Sequence, residues 1–478
     1  VASGEPQRPP LPGGDSPPAG GAERPGFWSG GREQAERRLA AIDPIAYGAT
    51  RNHLDGAVTR LSPWIRHGVL TLAEVREAVF AWLRSNGYDR PHRQAEGRRI
   101  AGRLITELGW RDYWQRLWWR LGDGIWDDLE PLKTGHDPAS YASELPADVA
   151  AATTGLACID AFATELMASG WLHNHARMWL ASYLVHWRRV RWQAGAAWFL
   201  QHLLDGDPAS NNLSWQWVAS SFSSRPYLFD RANLERFGGG RFCSGCPLAS
   251  GGCPFEASYE ALHARLFRAG QAPDSQRAAT QPATQPATEL TAEAAAQSTR
   301  IAPPALPRVP PAAPPFPASG PPCRPLVWVH GEALGLANPA LRAHPAAPAL
   351  FVFDTELIAG RTATTGRLPL APERLRFLRA CVAELPVAVG EGDVAAELLA
   401  AAAAAGADGI VTSRAVDPRF TVIAQRVAAA LPLQVLEPEP FVALPLEGAG
   451  APDLRRFSRY WRRAEPLVWS GFSPAGPG

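Results

Sequence analysis

Between Glu33 and about Arg268, apolar side chains recur at three- and four-residue steps, as in SPWIRHGVLTLAEVREAVFAWL (62–83) and AGAAWFLQHLLDG (194–206). That is the period of amphipathic helices, and Gly-, Asp- and Pro-rich stretches punctuate the runs. No alternating pattern of any length interrupts them, so an all-α region is predicted. After Arg324 the grammar changes. PLVWVH (325–330), ALFVFD (349–354), VAVGEG (387–392), GIVTS (409–413) and LQVLEP (433–438) are short apolar runs. Helical stretches such as DVAAELLAAAAAAGA (393–407) separate them. Strands alternating with helices of this length predict βαβ units and a parallel sheet.

The same pattern sets the boundaries. Residues 1–26 are rich in Pro and Gly without an apolar signal core, which reads as a disordered leader on a cytoplasmic protein. Residues 27–270 form the helical domain. Residues 271–322, dominated by Ala, Pro, Gln and Thr, bury too little to repay ordering and read as a flexible linker. Residues 323–478 form the α/β domain. No run approaches ~20 apolar residues, so no membrane span is expected.

With 478 residues there is room for two or three domains, and a net charge of +1 selects no partner by bulk electrostatics. Lys133 is the only lysine, an imbalance that genomic base composition explains. Placement says more than number. From Arg84 to Arg120 nine arginines face four acids and are interleaved with Trp110, Trp114, Trp118 and Trp119. Six cysteines are too few for a disulfide scaffold in a chain this long.

Four stretches set polar groups into helical context. DGAVTRLSPW (55–64) brings Thr59 and Ser62 to a helix start, where backbone N–H groups suit a phosphate. In ITELGWRDYW (105–114), Glu107, Trp110 and Arg111 share one helix face. GWLHNHARMW (170–179) does the same with Asn174, Arg177 and Met178. LLDGDPASNNLSWQW (203–217) gathers Asp205, Asp207, Asn211, Asn212, Trp215 and Trp217. Singly, each has an ordinary structural explanation: tryptophan on a helix is usually core, and Arg177 could simply pair with Asp205.

Together, in order and spacing, they resemble the FAD-binding domain of the photolyase and cryptochrome family over roughly residues 30–240. The resemblance implies a U-shaped FAD buried in an all-helical domain. Val58, Thr59, Leu61 and Ser62 would hold its pyrophosphate, and Arg111 and Asn174 would also line the cofactor site. Arg177 would pair with Asp205 beside the isoalloxazine, which suits a planar guanidinium. Asp205 and Asp207 would follow the flavin's polar edge and sugar. Asn211 would face N5, where an amide can both donate and accept.

The indoles have two implied roles. Trp215 and Trp192 would begin a chain that reduces photoexcited FAD, with Tyr141 near the place of a third member. Glu107, Trp110, Asn174, Met178 and Trp217 match the lesion pocket of cyclobutane-dimer photolyases. Trp110 and Trp217 would be flat walls for a flipped-out thymine dimer. His173 and His175 flank Asn174 without recreating the histidine pair of 6-4 photolyases.

FCSGCPLASGGCPFE (242–256) places Cys243, Cys246 and Cys253 as C-x2-C-x6-C, one short of a four-ligand set. Cys158 in TGLACIDAF is the fourth candidate. Resemblance to a bacterial branch of the family implies a [4Fe–4S] cluster on these four, with zinc and free thiols as alternatives. Cys323 and Cys381 have no evident role.

LVWVHGEALGLANPALRA (326–343), the region around VAVGEG, and RRFSRYWRRAEP (455–466) resemble the opening, middle and end of the family's α/β antenna domain. In ordinary members that domain comes first; here it follows. HGEALGL replaces the usual arginine and aspartate pattern after the first strand, so binding of an antenna pigment (a folate or deazaflavin) is open. The expectation is a multidomain protein, an all-α photolyase-type FAD-binding domain followed by a Rossmann-like α/β parallel-sheet domain. It would be a monomeric, light-driven, FAD-dependent lyase acting on DNA containing pyrimidine dimers. A cryptochrome-type blue-light photoreceptor and a redox flavoprotein are the alternatives, and retention of Glu107, Trp110 and Met178 favours repair.

Overall fold

The computed structural model describes residues 28–267, 322–448 and 450–472. The leader at 1–26 and the linker at 271–322, apart from Pro322, lie outside the described residues.

Helices occupy the first part. The short α1 (Ser62–Arg66) follows the Thr59 segment. A capping box starts α2 (Leu72–Ser85): the Glu74 N–H donates to Thr71 Oγ1, and the Thr71 N–H donates to the Glu74 carboxylate. Two donors that the first turn would leave orphaned are thereby satisfied. The long α3 (Gln94–Leu121) buries Leu104, Ile105, Leu108, Tyr113 and Leu117. α4 (Ala157–Ser169) stops at Gly170 in the left-handed region, φ 66°, where a side chain would be strained.

α5 (Asn174–Ser182) and α6 (Trp192–His202) follow. α7 (Pro208–Ala219) is capped by Asp207, whose carboxylate accepts from the Ser210 N–H, with Pro208 in its first turn. α8 (Arg231–Gly238) is capped in the same way by Asp230. Phe162, Trp179, Phe199, Trp215, Phe229 and Phe255 form the core among these later helices.

All five predicted strands form: β1 (Pro325–Val329), β2 (Ala349–Asp354), β3 (Ala388–Gly392), β4 (Gly409–Ser413) and β5 (Leu433–Leu436). They make one parallel sheet in the order β3-β2-β1-β4-β5. β1, β2 and β4 are buried throughout. This accounts for their unbroken apolar sequence, since helices cover both faces of such a sheet.

Alternation along each strand assigns the faces. Leu326, Trp328, Leu350, Val352 and Ile410 share a core with α10 (Val394–Ala404) and α11 (Pro418–Ala428), while α9 (Pro372–Ala383) lies on the other side. Val327, Val329, Phe351, Phe353 and Val411 join the core of the helical part.

The two parts therefore share one hydrophobic core. The final helix, α12 (Phe457–Ser470), folds back onto α3. Phe457 stacks on Trp110 with ring centroids 3.7 Å apart and planes at 9°. Tyr460 donates to Asp112 over 2.6 Å, and Tyr113 donates to the Leu454 carbonyl over 2.7 Å. Gly109 permits this approach, because a Cβ there would lie 2.2 Å from Trp461.

Candidate functional site

The turn between α6 and α7 is the centre of the site. Asp205, Gly206 and Asp207 are all buried. Arg177 on α5 reaches Asp205 Oδ2 at 2.9 Å while its Nε donates to the Leu172 carbonyl. Arg111 on α3 lies 3.5 Å from Asp207, and Gln115 one turn on donates to both Asp207 oxygens at 2.8 and 3.0 Å. Burial alone would raise both carboxyls. For Asp205 this is outweighed by Arg177, Ser62 and Arg111, and for Asp207 by Arg111, Arg66, Ser210 and Gln115, so both are held below the ordinary range. Two buried anions thus stand side by side, each with its own guanidinium.

The carbonyl between them is gripped from outside the loop. Gly206 O accepts from Arg66 at 3.0 Å and from Arg374 on α9 at 2.8 Å. Arg374 packs closely on the turn: a Cβ on Gly206 would lie 2.5 Å from its Nη1. Burial lowers its pKa to about 9.

Other expected residues fall around this turn. Ser62 belongs to the same cluster through Asp205, and Val58 and Thr59 are half-buried just before it, whereas Leu61 is buried. Between them Arg60 takes φ 54°, a left-handed backbone that a non-glycine residue holds only under constraint. Asn211 donates to the Ala196 carbonyl and to Asn212 Oδ1, both at 3.0 Å. Two buried polar atoms of the cluster have no partner, Asp205 Oδ1 and Asn212 Nδ2. Such atoms are costly unless satisfied, and a polar flavin edge supplies both the donors and the acceptors they need. The residues present therefore fit a flavin.

The expected lesion-pocket residues divide. Glu107 forms an ion pair with Arg51 at 2.8 Å and keeps its side chain 30 % exposed. Asn174 is exposed and reaches Met178 Sδ at 3.5 Å, so those two share one face of α5. Trp217 is half-buried and tilts against Tyr227. Trp110 differs from the free-standing wall that was expected, because Phe457 covers one of its faces. Nothing local in the sequence marks that partner, 347 positions away in the chain.

The indole pair also acquires a neighbour. A Cβ on Gly195 would sit 2.2 Å from Trp215, so Trp215 lies flush on α6 one turn after Trp192. Trp192 stacks with Trp126, centroids 6.2 Å apart and planes at 7°, and donates its indole N–H to Asp128 at 2.6 Å. Trp126 was missed because it closes a 3-10 turn, GDGIW (122–126), too short to show a periodic pattern. Tyr141 is buried and its hydroxyl is paired with Thr134 at 2.9 Å.

The four predicted cysteines, Cys158, Cys243, Cys246 and Cys253, line one cavity with Leu156, Leu234, Phe242, Phe255 and Arg231. Burial, and then the other three sulfurs, push the Cys158 thiol up to about 12. Cysteines that ligate a metal or a cluster do so as thiolates. Among the described residues no group of three or more His, Cys, Asp and Glu side chains is arranged to hold a single metal ion.

A second cavity, about 950 Å³ with its open mouth included, lies at the carboxyl ends of β1, β2 and β4. There the strand order reverses, the usual ligand crevice of an open parallel sheet. Arg66, His67 and Arg374 close it from the helical side and α9.

Four buried histidines link pH to stability. Burial above all lowers His67 and His175 to about 3 and His173 and His186 to about 4. Below about 6.5 the unfolded chain takes up these protons and the folded chain does not, so stability falls with pH down to the folded values. Asp417, raised to about 7 by burial and Glu332, works in the opposite direction but is outnumbered. A urea midpoint that declines steadily from pH 6.5 to 4.5 is expected, and a flat profile would contradict the neutral assignment.

Residues 104–238 match the family model described as the FAD binding domain of DNA photolyase. A deoxyribodipyrimidine photo-lyase of Streptomyces griseus is 35 % identical over 204 residues, 41 % of this chain and 40 % of that protein. A chloroplastic/mitochondrial cryptochrome DASH of Oryza sativa subsp. japonica is 32 % identical over 183 residues, 36 % of this chain and 28 % of that one. The crystal structure of a bacterial class III photolyase from Agrobacterium tumefaciens aligns over 50 % of this chain and 51 % of its own, with 25 % identity and a TM-score of 0.37. The chain thus spans 40 % or less of the length of these two curated relatives.

Proposed function

We propose that this chain, whose residues 104–238 match the FAD binding domain of DNA photolyase, is a light-driven, FAD-dependent lyase that splits cyclobutane pyrimidine dimers in DNA. The observation that carries the reading is Asp205, a buried carboxylate kept ionised by Arg177 with one oxygen still unpartnered. Arg111, Arg177, Asp205, Asp207 and Asn211 would hold the flavin, and Val58, Thr59, Leu61 and Ser62 its pyrophosphate. Bound, reduced and illuminated, the cofactor supplies the electron that opens the dimer ring; the protein supplies position, dryness and fixed charge. Glu107, Asn174 and Met178, half-buried or exposed on α3 and α5, would read the lesion. Trp217 and Trp110, both half-buried, would stack on its bases.

One observation favours a cryptochrome-type photoreceptor instead: Phe457 already stacks on Trp110, leaving at most one of its faces for a base. Thymine recovery decides between them. Illuminating the reduced protein with irradiated oligothymidine should restore absorbance near 260 nm. No recovery with a fully flavin-loaded protein would leave the photoreceptor reading in place of repair.

The cysteine cavity supports a [4Fe–4S] cluster held by Cys158, Cys243, Cys246 and Cys253, because a cubane takes one thiolate on each of four irons and does not draw all sulfurs to a single ion. About four irons and four sulfides per chain are expected, and Cys246→Ser should lose most of both. One zinc without sulfide would replace the cluster with a zinc site.

A further inference from the structure

We infer that the electron chain of this protein ends at Trp126, with Asp128 as the charge partner of the Trp192–Trp126 pair, and not at Tyr141. The inference rests on the proposed flavin site and on Trp215 and Trp192 as its first donors. A terminal donor has two requirements: electronic contact with the indole before it and access to a reductant in solution. Trp126 meets both, being stacked nearly parallel to Trp192 with centroids 6.2 Å apart, and half-buried. Tyr141 meets neither on the observed contacts, with its ring buried and its hydroxyl held by Thr134.

The 3-10 turn that carries Trp126 (Gly122–Trp126) and the residues just after it are pinned on several sides. Gln193 donates to the Trp126 carbonyl at 3.2 Å, and buried Gln216, between Trp215 and Trp217, donates to the Ile125 carbonyl and accepts from the Leu129 N–H. Gly366 of the α/β part also lies so near that a Cβ there would be 2.7 Å from Trp126. The Asp128 carboxylate accepts from the Trp192 N–H at 2.6 Å, which favours a positive charge on the stacked indoles.

The electron count closes with a thiol as the outside reductant. Trp215 gives one electron to the illuminated flavin, Trp192 refills Trp215, and Trp126 refills Trp192. A thiolate then refills Trp126, becoming a thiyl radical that combines with another to form a disulfide. Each photon moves one electron, and the indoles return to their starting state.

The test is transient absorbance of the tryptophan radical in flavin-loaded protein, with flavin content measured alongside. Trp126→Phe, which keeps a flat ring in the stack, should shorten the radical lifetime at least tenfold and slow thiol-dependent photoreduction by a similar factor, at unchanged flavin content. Asp128→Asn should shorten the lifetime severalfold, and Tyr141→Phe should leave it as in the wild type. A full-length signal in Trp126→Phe, or its loss in Tyr141→Phe, would overturn the assignment. Trp192→Phe separates the two levels. If it abolishes the long-lived radical while Trp126→Phe does not, only the Trp126 assignment fails; if it too has no effect, the Trp215–Trp192 chain itself is wrong.

Discussion

Asp205→Ala is expected to yield protein with little or no flavin and a stability loss of about 3 kcal/mol. The removed carboxylate is almost fully buried, and its partner Arg177 keeps only 24 % of its side chain exposed. Removing one member of such a pair leaves the other charged and poorly solvated, which costs roughly 3–5 kcal/mol in a dry site. The residual exposure of Arg177 places this case at the low end. Asp205→Asn keeps the volume and one acceptor, so it should recover part of the stability while still losing flavin, because the charge opposite Arg177 is gone. The folded-state pKa of Asp205 is lowered, so its contribution is present above about pH 4 and disappears as the pH falls through the folded value. Flavin content by absorbance and urea midpoints report the two effects separately. A yellow Asp205→Ala protein with unchanged flavin per chain would remove the site.

Arg374→Ala should give the second-largest effect, through an arginine that lies outside the helical part. Arg374 donates to the Leu200 and Gly206 carbonyls, and it is buried without a carboxylate of its own in contact. Its loss leaves buried carbonyls short of a donor, at about 1–3 kcal/mol each, and opens space beside the Asp205–Asp207 turn. Arg66 still holds Gly206, so a loss of about 2–4 kcal/mol is expected, together with several-fold weaker flavin retention. Arg374→Lys should rescue little, because a single ammonium cannot fork between two carbonyls as a guanidinium does. The flavin off-rate on dilution is the measurement. Unchanged flavin retention in Arg374→Ala would show that the α/β part does not support the turn.

Particular elements show where sequence reasoning was sufficient. The strands β1, β2 and β4 were readable because each is a local run of apolar, β-favouring residues bounded by Gly, Pro or Asp. The Asp205–Asp207 turn was readable from the acids, amides and indoles gathered in 203–217, and Asp207 caps α7 with Pro208 in its first turn. The same is true of Asn174 and Met178, whose four-residue step brings amide to thioether. Trp126 and Phe457 were not readable. One closes a 3-10 turn too short to show a period, and the other looks like any aromatic residue on an amphipathic helix.

What the sequence by itself determined is thus the set of helices and strands, the parallel sheet, and the short-range groups within each stretch, since periodicity, caps and steps of three or four act over a few residues. Only the tertiary structure decided that Phe457 lies on Trp110, that Arg374 grips Gly206 between the two aspartates, and that Trp126 stacks on Trp192. Those contacts join segments about 66 to 347 positions apart. They form when two parts of the chain bury a common core, and no local pattern of side chains encodes which remote ring or carbonyl will be within reach.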